Sequence, residues 1–226
     1  MRKMLLLLIV LGLSTSLCAA WQSVVGSKHD LSTGGTADSS LRATNTTWVC
    51  TFCHTPHQPS SMNSQHPLWN HARTATATFG VYSSPTMNAT PSDIGGAAYG
   101  AMSMSLLCMS CHDGTVGMGN VLRGPGDISG HPAPPPSNST TLMPSSDPAY
   151  IGASLTNDHP VNFTYDNNLY LADGGLVDPA SPAVAQLLFA NTMQCSSCHD
   201  AHNDGNSMFL VKDNAGSALC TTCHHK

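Results

Sequence analysis

The sequence predicts a mostly irregular chain with a few short α-helices, and three features of its composition and spacing indicate this fold class. All thirteen acidic residues are Asp, so the strong helix former Glu is absent. Gly and Pro contribute 19 and 15 residues, and Ser, Thr and Asn are frequent throughout. Long stripes of apolar residues at helical or strand spacing are missing. We therefore expect bound groups, rather than side chains alone, to fill the interior.

The first twenty residues have the pattern of a secretory signal peptide. Two basic residues precede the apolar run MLLLLIVLGL, and a short segment of small residues ends at Ala20. The apolar run is too short to span a bilayer, which disfavours the alternative of an uncleaved membrane anchor. We expect cleavage before Trp21, export of the chain, and one mature domain over residues 21–226.

The mature chain is predicted to be modestly acidic. Removing the signal peptide leaves six basic residues against thirteen acidic ones, a net charge of about −7. Nucleic-acid-binding proteins carry a basic patch, and no such patch is present in this sequence. The composition therefore excludes nucleic acid as a partner.

The eight cysteines of the mature chain form four C-x-x-C pairs, and a histidine directly follows each pair. The pairs are Cys50 and Cys53, Cys108 and Cys111, Cys195 and Cys198, and Cys220 and Cys223, followed by His54, His112, His199 and His224. Histidine makes up 12 of 226 residues. Four histidines would follow four pairs by chance on the order of once in 10⁵ sequences of this composition.

Three chemistries compete for this pattern. Four-cysteine zinc sites or short disulfides would use the cysteine pairs, but neither gives a reason for the histidines. Covalent haem accounts for both, because the thiols bond to the porphyrin vinyl groups and the next histidine lies beneath the iron as proximal ligand. We therefore predict four haem c groups, and the fold class becomes a multihaem cytochrome c with a haem-filled core.

Eight further histidines are available as distal iron ligands, so bis-histidine iron is expected at every haem. Five of them are candidates for the four positions: His29, His57, His71, His159 and His202. His57 and His202 each follow a proximal histidine by three residues, an offset too short to reach over the same porphyrin. We expect these two to bind the iron of a neighbouring haem. Methionines cluster near the second pair, and we interpret them as packing residues rather than ligands.

A few regular elements are predicted around the motifs. A helix is expected in SPAVAQLLFANTMQCSSCH, capped by Ser181, and another in AYGAMSMSLLCMSCH, ending at Gly114. The segment VNFTYD is expected to form a short strand. The Pro-rich segment from His131 to Pro148 is expected to be an exposed, semi-rigid loop.

The order of short motifs resembles a known family. KHDLS, CTFCHTPH, PLWNH, CMSCHDGTVG, NDHPVNF, CSSCHDAHN and LCTTCH occur in the order typical of OmcE-type tetrahaem cytochromes. The resemblance covers nearly all of the mature chain. It implies head-to-tail polymerisation into extracellular filaments, with haems in an unbroken row and one axial histidine supplied by the adjoining subunit. We take His29 as the donor in trans; the family also includes periplasmic members.

The predicted function is electron transfer rather than catalysis. The leading interpretation is a filament-forming cytochrome at the cell surface, and the alternative is a soluble tetrahaem shuttle in the periplasm. Redox proteins or extracellular electron acceptors would be its partners. A multihaem reductase with one open haem is a third interpretation, but the sequence contains no unusual attachment pair such as C-x-x-C-K.

Overall fold

The structure, a computed structural model, describes residues 23–55, 66, 68–95, 103–126 and 134–225, and regular elements are sparse within them. We number the helices α1 (Met104–His112), α2 (Asn167–Asp173), α3 (Pro182–Ala185) and α4 (Cys220–Cys223), and the strands β1 (Phe163–Thr164) and β2 (Thr192–Met193). Short 3₁₀ turns occupy Val49–Phe52, Cys195–Ser197, Ser207–Phe209 and Ala215–Ser217. The predicted fold class, mostly irregular with a few short helices, is confirmed. The predicted signal peptide and His57 lie outside the described residues.

Helix α1 lies within the segment predicted to be helical and ends where the sequence predicts. The Ser103 hydroxyl accepts a hydrogen bond from the Leu106 N–H at 3.2 Å, which caps the first turn. The last helical residue, His112, lies two residues before Gly114, whose φ of 70° is left-handed. A Cβ at Gly114 would lie 2.5 Å from the Tyr150 ring, so the position requires glycine for its packing as well as its backbone.

The predicted helix after Ser181 is much shorter than expected. Pro182 starts α3 as predicted, but the helix ends at Ala185. The backbone then turns through Ala190 and Asn191, which have φ of 50° and 60°, and enters β2. Tertiary pairing with β1 therefore overrides the local helix preference.

Strands β1 and β2 form a short antiparallel pair. Phe163 lies opposite Met193, and Thr164 lies opposite Thr192. The predicted strand within VNFTYD is thus present, although only two residues long. The pair brings the residues just before the third cysteine pair against Phe163 and Thr164, which lie in the long stretch between the second and third cysteine pairs.

Among the described residues, apolar packing is divided among three small clusters rather than one core. One surrounds Leu106 and Met109 of α1, and a second surrounds Tyr165 and includes Cys223. A third joins Leu41, Met118 and Met143, with Cys111 packed beside it. Two cysteines of the C-x-x-C-H motifs are therefore part of this apolar packing, Cys223 as a cluster member and Cys111 beside one.

The described part of the Pro-rich segment is irregular and mostly exposed, as predicted, but a few buried side chains and hydrogen bonds anchor it to the rest of the chain. The Asn138 side chain is buried, and its amide donates to the Leu41 carbonyl at 2.6 Å. The Met118 N–H donates to the Thr141 carbonyl at 2.9 Å. Sequence reasoning counted the Pro and Ser content of this segment, whereas its few buried side chains decide its position.

Among the described residues, no helix has the length and apolarity that a membrane span requires.

Candidate haem sites

Each C-x-x-C-H motif folds as a single helical turn. The backbone N–H of His54 donates to the Cys50 carbonyl at 2.8 Å, and the equivalent bonds at the third and fourth motifs are 3.0 Å. The second motif forms the last turn of α1. Residues three and four apart share one face of a helical turn, so both thiols and the imidazole lie on the same side. We name these groups site 1 (Cys50, Cys53, His54), site 2 (Cys108, Cys111, His112), site 3 (Cys195, Cys198, His199) and site 4 (Cys220, Cys223, His224).

All eight cysteines are free thiols. Burial raises the pKa of both Cys53 and Cys111 to about 12. A hydrogen bond from the Cys108 thiol lowers the pKa of Cys195 and raises that of Cys108. One thiol of site 2 therefore lies beside one thiol of site 3, which places these two attachment motifs next to each other.

Three of the four motif histidines face a second histidine. The ring centres of His54 and His202 lie 5.9 Å apart at an interplanar angle of 11°. The other two pairs are closer to perpendicular. His29 and His112 lie 6.2 Å apart at 80°, and His159 and His224 lie 6.3 Å apart at 70°.

These separations fit two imidazoles bound to one iron. A bond from a metal to an imidazole nitrogen is about 2 Å, and the ring centre lies roughly 1 Å further out. Two imidazoles on opposite sides of one metal ion therefore have ring centres about 6 Å apart. The rings at sites 1, 2 and 4 are held at this spacing, with two thiols beside each motif histidine. The residues present thus fit a covalently attached haem with two axial imidazoles.

Backbone carbonyls orient several of these rings. Nδ1 of His112 lies 2.8 Å from the Ala149 carbonyl oxygen, and Nδ1 of His199 lies 2.8 Å from that of Met208. Nδ1 of His159 lies 2.9 Å from its neighbour's carbonyl oxygen. An Nδ1–H that donates to a carbonyl leaves Nε2 unprotonated and available for a metal.

The partly buried His29 and the more exposed His54 both favour the neutral imidazole, the form that binds metal. Burial lowers the pKa of His29, and the nearby His112 lowers it further. Burial also lowers the pKa of His54, with a smaller contribution from His202. The lowered pKa values of His29 and His54 follow from the positions of the rings in the protein alone.

His71, one of the two remaining candidate ligands, lies apart from this pattern. His71 is fully buried, and its Nδ1 and Nε2 lie 3.0 Å and 3.1 Å from the carbonyl oxygens of Ala72 and Gly117. It contacts the Cys111 sulfur at 3.5 Å but faces no motif histidine ring. His57 lies outside the described residues. Both assignments as distal ligands stay predictions, and within the described ranges no second histidine ring faces His199.

Sequence reasoning missed the polar contact that joins sites 2 and 3. The Gln194 side-chain oxygen accepts from the Ser105 N–H at 3.1 Å and from the Ser105 hydroxyl at 2.7 Å. The Cys195 N–H in turn donates to the Ser105 hydroxyl at 3.0 Å. No motif or periodicity marks Ser105 or Gln194, because the contact forms only when α1 packs on the third motif.

Sequence reasoning also missed Phe209. Its ring stacks on His29 with centres 4.3 Å apart and planes 25° apart. Phe209 thereby holds the distal candidate of site 2 close to the residues that follow site 3. In the described ranges, no three His, Cys, Asp or Glu side chains converge on a point where a single metal ion could bind.

Comparison with known families agrees with this geometry. A family model described as a doubled CXXCH motif matches residues 189–226, which contain sites 3 and 4. No curated protein matches the chain at a significant level. The doubled motif indicates covalently bound haem c. The chain thus has the features of a multihaem c-type cytochrome, a haem-binding protein of electron transfer.

Proposed function

We propose that the mature chain is an electron carrier that binds four haem c groups, each between two imidazoles, and polymerises outside the cell into a conductive filament. One observation carries the electron-transfer part of this proposal. Three of the four motif histidines face a second histidine at the separation required by one iron. The C-x-x-C-H pattern is fourfold, so the same chemistry is proposed for every site.

Two imidazoles per iron favour a carrier over an enzyme. Bound haem supplies a reversible one-electron iron couple. An imidazole on each side leaves no position at which a substrate could bind. The carbonyl bonds to Nδ1 of His112 and His159 hold these rings in place, so little movement accompanies a change in oxidation state.

The distal ligand of site 3 is proposed by analogy with site 1. His202 follows His199 by three residues and faces His54 of site 1. His57 follows His54 by the same offset, so we propose that His57 binds the iron of site 3 in exchange. The other source is a histidine of the adjoining subunit, as the family resemblance implies.

Filament formation is supported by the order of motifs along the sequence. A head-to-tail contact that does not close into a ring generates a fibre, and an axial ligand supplied in trans would strengthen it. The sequence predicts His29 as the donor in trans. Its ring lies beside His112 of its own chain, which favours site 2 of that chain as its target, so a ligand in trans at site 3 is the alternative to His57.

Spectroscopy of the purified, fully matured protein tests the carrier function. Electron paramagnetic resonance and magnetic circular dichroism of the oxidised protein are expected to show low-spin ferric haem only. A stoichiometric high-spin signal in the resting protein would instead indicate an open iron and favour a reductase.

Electron microscopy of material sheared from cells tests the filament. Filaments that contain the protein are expected, and the His57→Ala variant separates the two sources of the site 3 ligand. If His57 binds within its own chain, the variant keeps filaments and gains one high-spin haem. If the unmodified protein is recovered as monomers and no filaments contain it, the result favours a periplasmic shuttle.

A further inference from the structure

A buried carboxylate follows the motif histidine of site 2 in the chain. Asp113 follows His112, and its side chain is only 2% exposed. One carboxylate oxygen accepts from the Thr115 N–H and hydroxyl, both at 2.9 Å. The other accepts from the Thr76 hydroxyl at 2.8 Å and from the Thr74 hydroxyl.

The hydrogen bonds around Asp113 have a defined direction. The Thr115 hydroxyl accepts from the Ala75 N–H at 3.0 Å, and the Thr74 hydroxyl accepts from the Thr76 N–H at 2.9 Å. Each hydroxyl is thereby free to donate its hydrogen to the carboxylate. The carboxylate is thus surrounded by hydrogen-bond donors, which is the environment that a negatively charged carboxylate requires. All four of these hydrogen bonds come from uncharged donors.

The position of this charge does not help the helix. Asp113 is the C-terminal cap of α1, where the helix dipole is negative and cations are preferred. A carboxylate at this end is therefore unfavourable for the helix itself. The carboxylate charge and the negative end of the helix dipole therefore add to each other next to His112, the motif histidine of site 2.

We propose that Asp113 lowers the reduction potential of the haem at site 2. This inference rests on the proposed electron-transfer function. Reduction adds one electron to the iron, and a fixed negative charge nearby opposes that addition. At an effective dielectric constant of about 20, one charge within about 10 Å changes such an equilibrium roughly tenfold. Asp113 contacts no iron in this role and acts through its field.

The equivalent residue at site 3 is placed differently. Asp200 also follows its motif histidine, but its side chain is 44% exposed. Water screens an exposed charge, so its effect on the iron of site 3 is weaker. Among the described residues, site 2 thus has a buried carboxylate directly after its motif histidine, whereas site 3 has a much more exposed one.

The Asp113→Asn variant of the fully matured protein tests the proposal by spectroelectrochemical titration. One haem is expected to become easier to reduce, with its ferrous-to-ferric ratio at fixed potential rising about tenfold, or about 59 mV for a one-electron couple. Combining the variant with His29→Met, which alters the site 2 ligand, is expected to shift the reduction potential of the same haem a second time. Haem content and low-spin signals are expected to stay unchanged.

Matched variants separate charge from packing. Asp113→Glu keeps the charge and is expected to keep the potential near that of the unmodified protein. Asp38→Asn makes the same charge change at an exposed position and is expected to move no potential by a comparable amount. Equal shifts in the Asn and Glu variants of Asp113, or no shift in the Asn variant, would overturn the proposal.

A second substitution covers the case in which Asp113→Asn does not mature. Thr76→Val keeps the carboxylate but removes one of its donors, so less of the charge is compensated. The potential of the same haem is then expected to fall, and an unchanged or raised potential contradicts the proposal. A high-spin haem in the unmodified protein would instead count against the proposed function. The change in reduction potential at site 2 caused by the Asp113 substitution could still be measured in that case.

Discussion

The imidazole rings of His54 and His202 lie nearly parallel, with their centres 5.9 Å apart, although they belong to the first and third attachment motifs. His202 follows His199 by three residues, so the third motif supplies the partner ring of the first. A single chain segment therefore holds the proximal ligand of site 3 and the distal candidate of site 1. This arrangement fixes sites 1 and 3 as neighbours.

Removing the His202 ring is expected to open one iron. In His202→Ala, the haem at site 1 loses its distal imidazole and becomes high-spin, while the other haems stay low-spin. Electron paramagnetic resonance of the oxidised variant measures this change. His225→Ala removes an exposed histidine side chain and serves as the control, with no new high-spin signal expected. A fully low-spin His202→Ala protein would contradict the pairing.

The angles between paired rings predict the form of the low-spin signals. Near-parallel imidazole planes give a rhombic ferric signal, and near-perpendicular planes give a highly anisotropic one. Site 1, at 11°, is expected to give the first kind, and sites 2 and 4, at 80° and 70°, the second. In His202→Ala the rhombic signal should be the one lost; loss of an anisotropic signal instead would show that His202 serves another site.

The contact between Gln194 and Ser105 is expected to contribute to stability. Gln194→Ala leaves the buried Ser105 N–H and hydroxyl without their acceptor, which costs about 1–3 kcal/mol in the free energy of unfolding. Thermal or denaturant unfolding of the matured protein measures this loss. Gln186→Ala, at an exposed position, is expected to change stability little. Equal effects of the two substitutions would argue against this contact as the link between sites 2 and 3.

Tyr165 is expected to make stability fall at high pH. Its hydroxyl donates to the Val177 carbonyl at 2.7 Å and to the Cys223 carbonyl at 3.2 Å, and burial raises its pKa to about 12. The ordinary tyrosine pKa is about 10, so the unfolded chain releases this proton first. The stabilisation is therefore complete below about pH 10 and is lost as pH rises toward about 12.

Ultraviolet titration of the phenolate measures the ionisation of Tyr165. The difference between the unmodified protein and Tyr165→Phe should contain one transition near pH 12. Tyr170→Phe, at a partly exposed tyrosine, provides the comparison. A Tyr165 transition near pH 10 would show that its hydroxyl is not held as described.

The attachment chemistry could be predicted from sequence because it is local. Cysteines and histidine at C-x-x-C-H spacing share one face of a helical turn in any context. The end of helix α1 was equally predictable, since Gly114 stops it nearby in the sequence. The fold class followed from composition, because a chain without Glu and rich in Gly and Pro forms few regular elements.

Long-range contacts could not be predicted in the same way. The helix after Ser181 stops at Ala185 because β2 pairs with β1, and no local signal marks that pairing. The choice of His202 as the partner ring of His54 depends on the same tertiary arrangement. The spacing of residues in the sequence could therefore narrow the distal ligands only to five candidate histidines for four positions.

The number of covalently attached haems tests the central claim most directly. Intact mass of the exported, denatured protein, together with its pyridine haemochrome absorbance, measures haem per chain. The account predicts four haems, because four C-x-x-C-H turns each present two thiols and one imidazole on one face. A fully processed chain that holds three or fewer would contradict it.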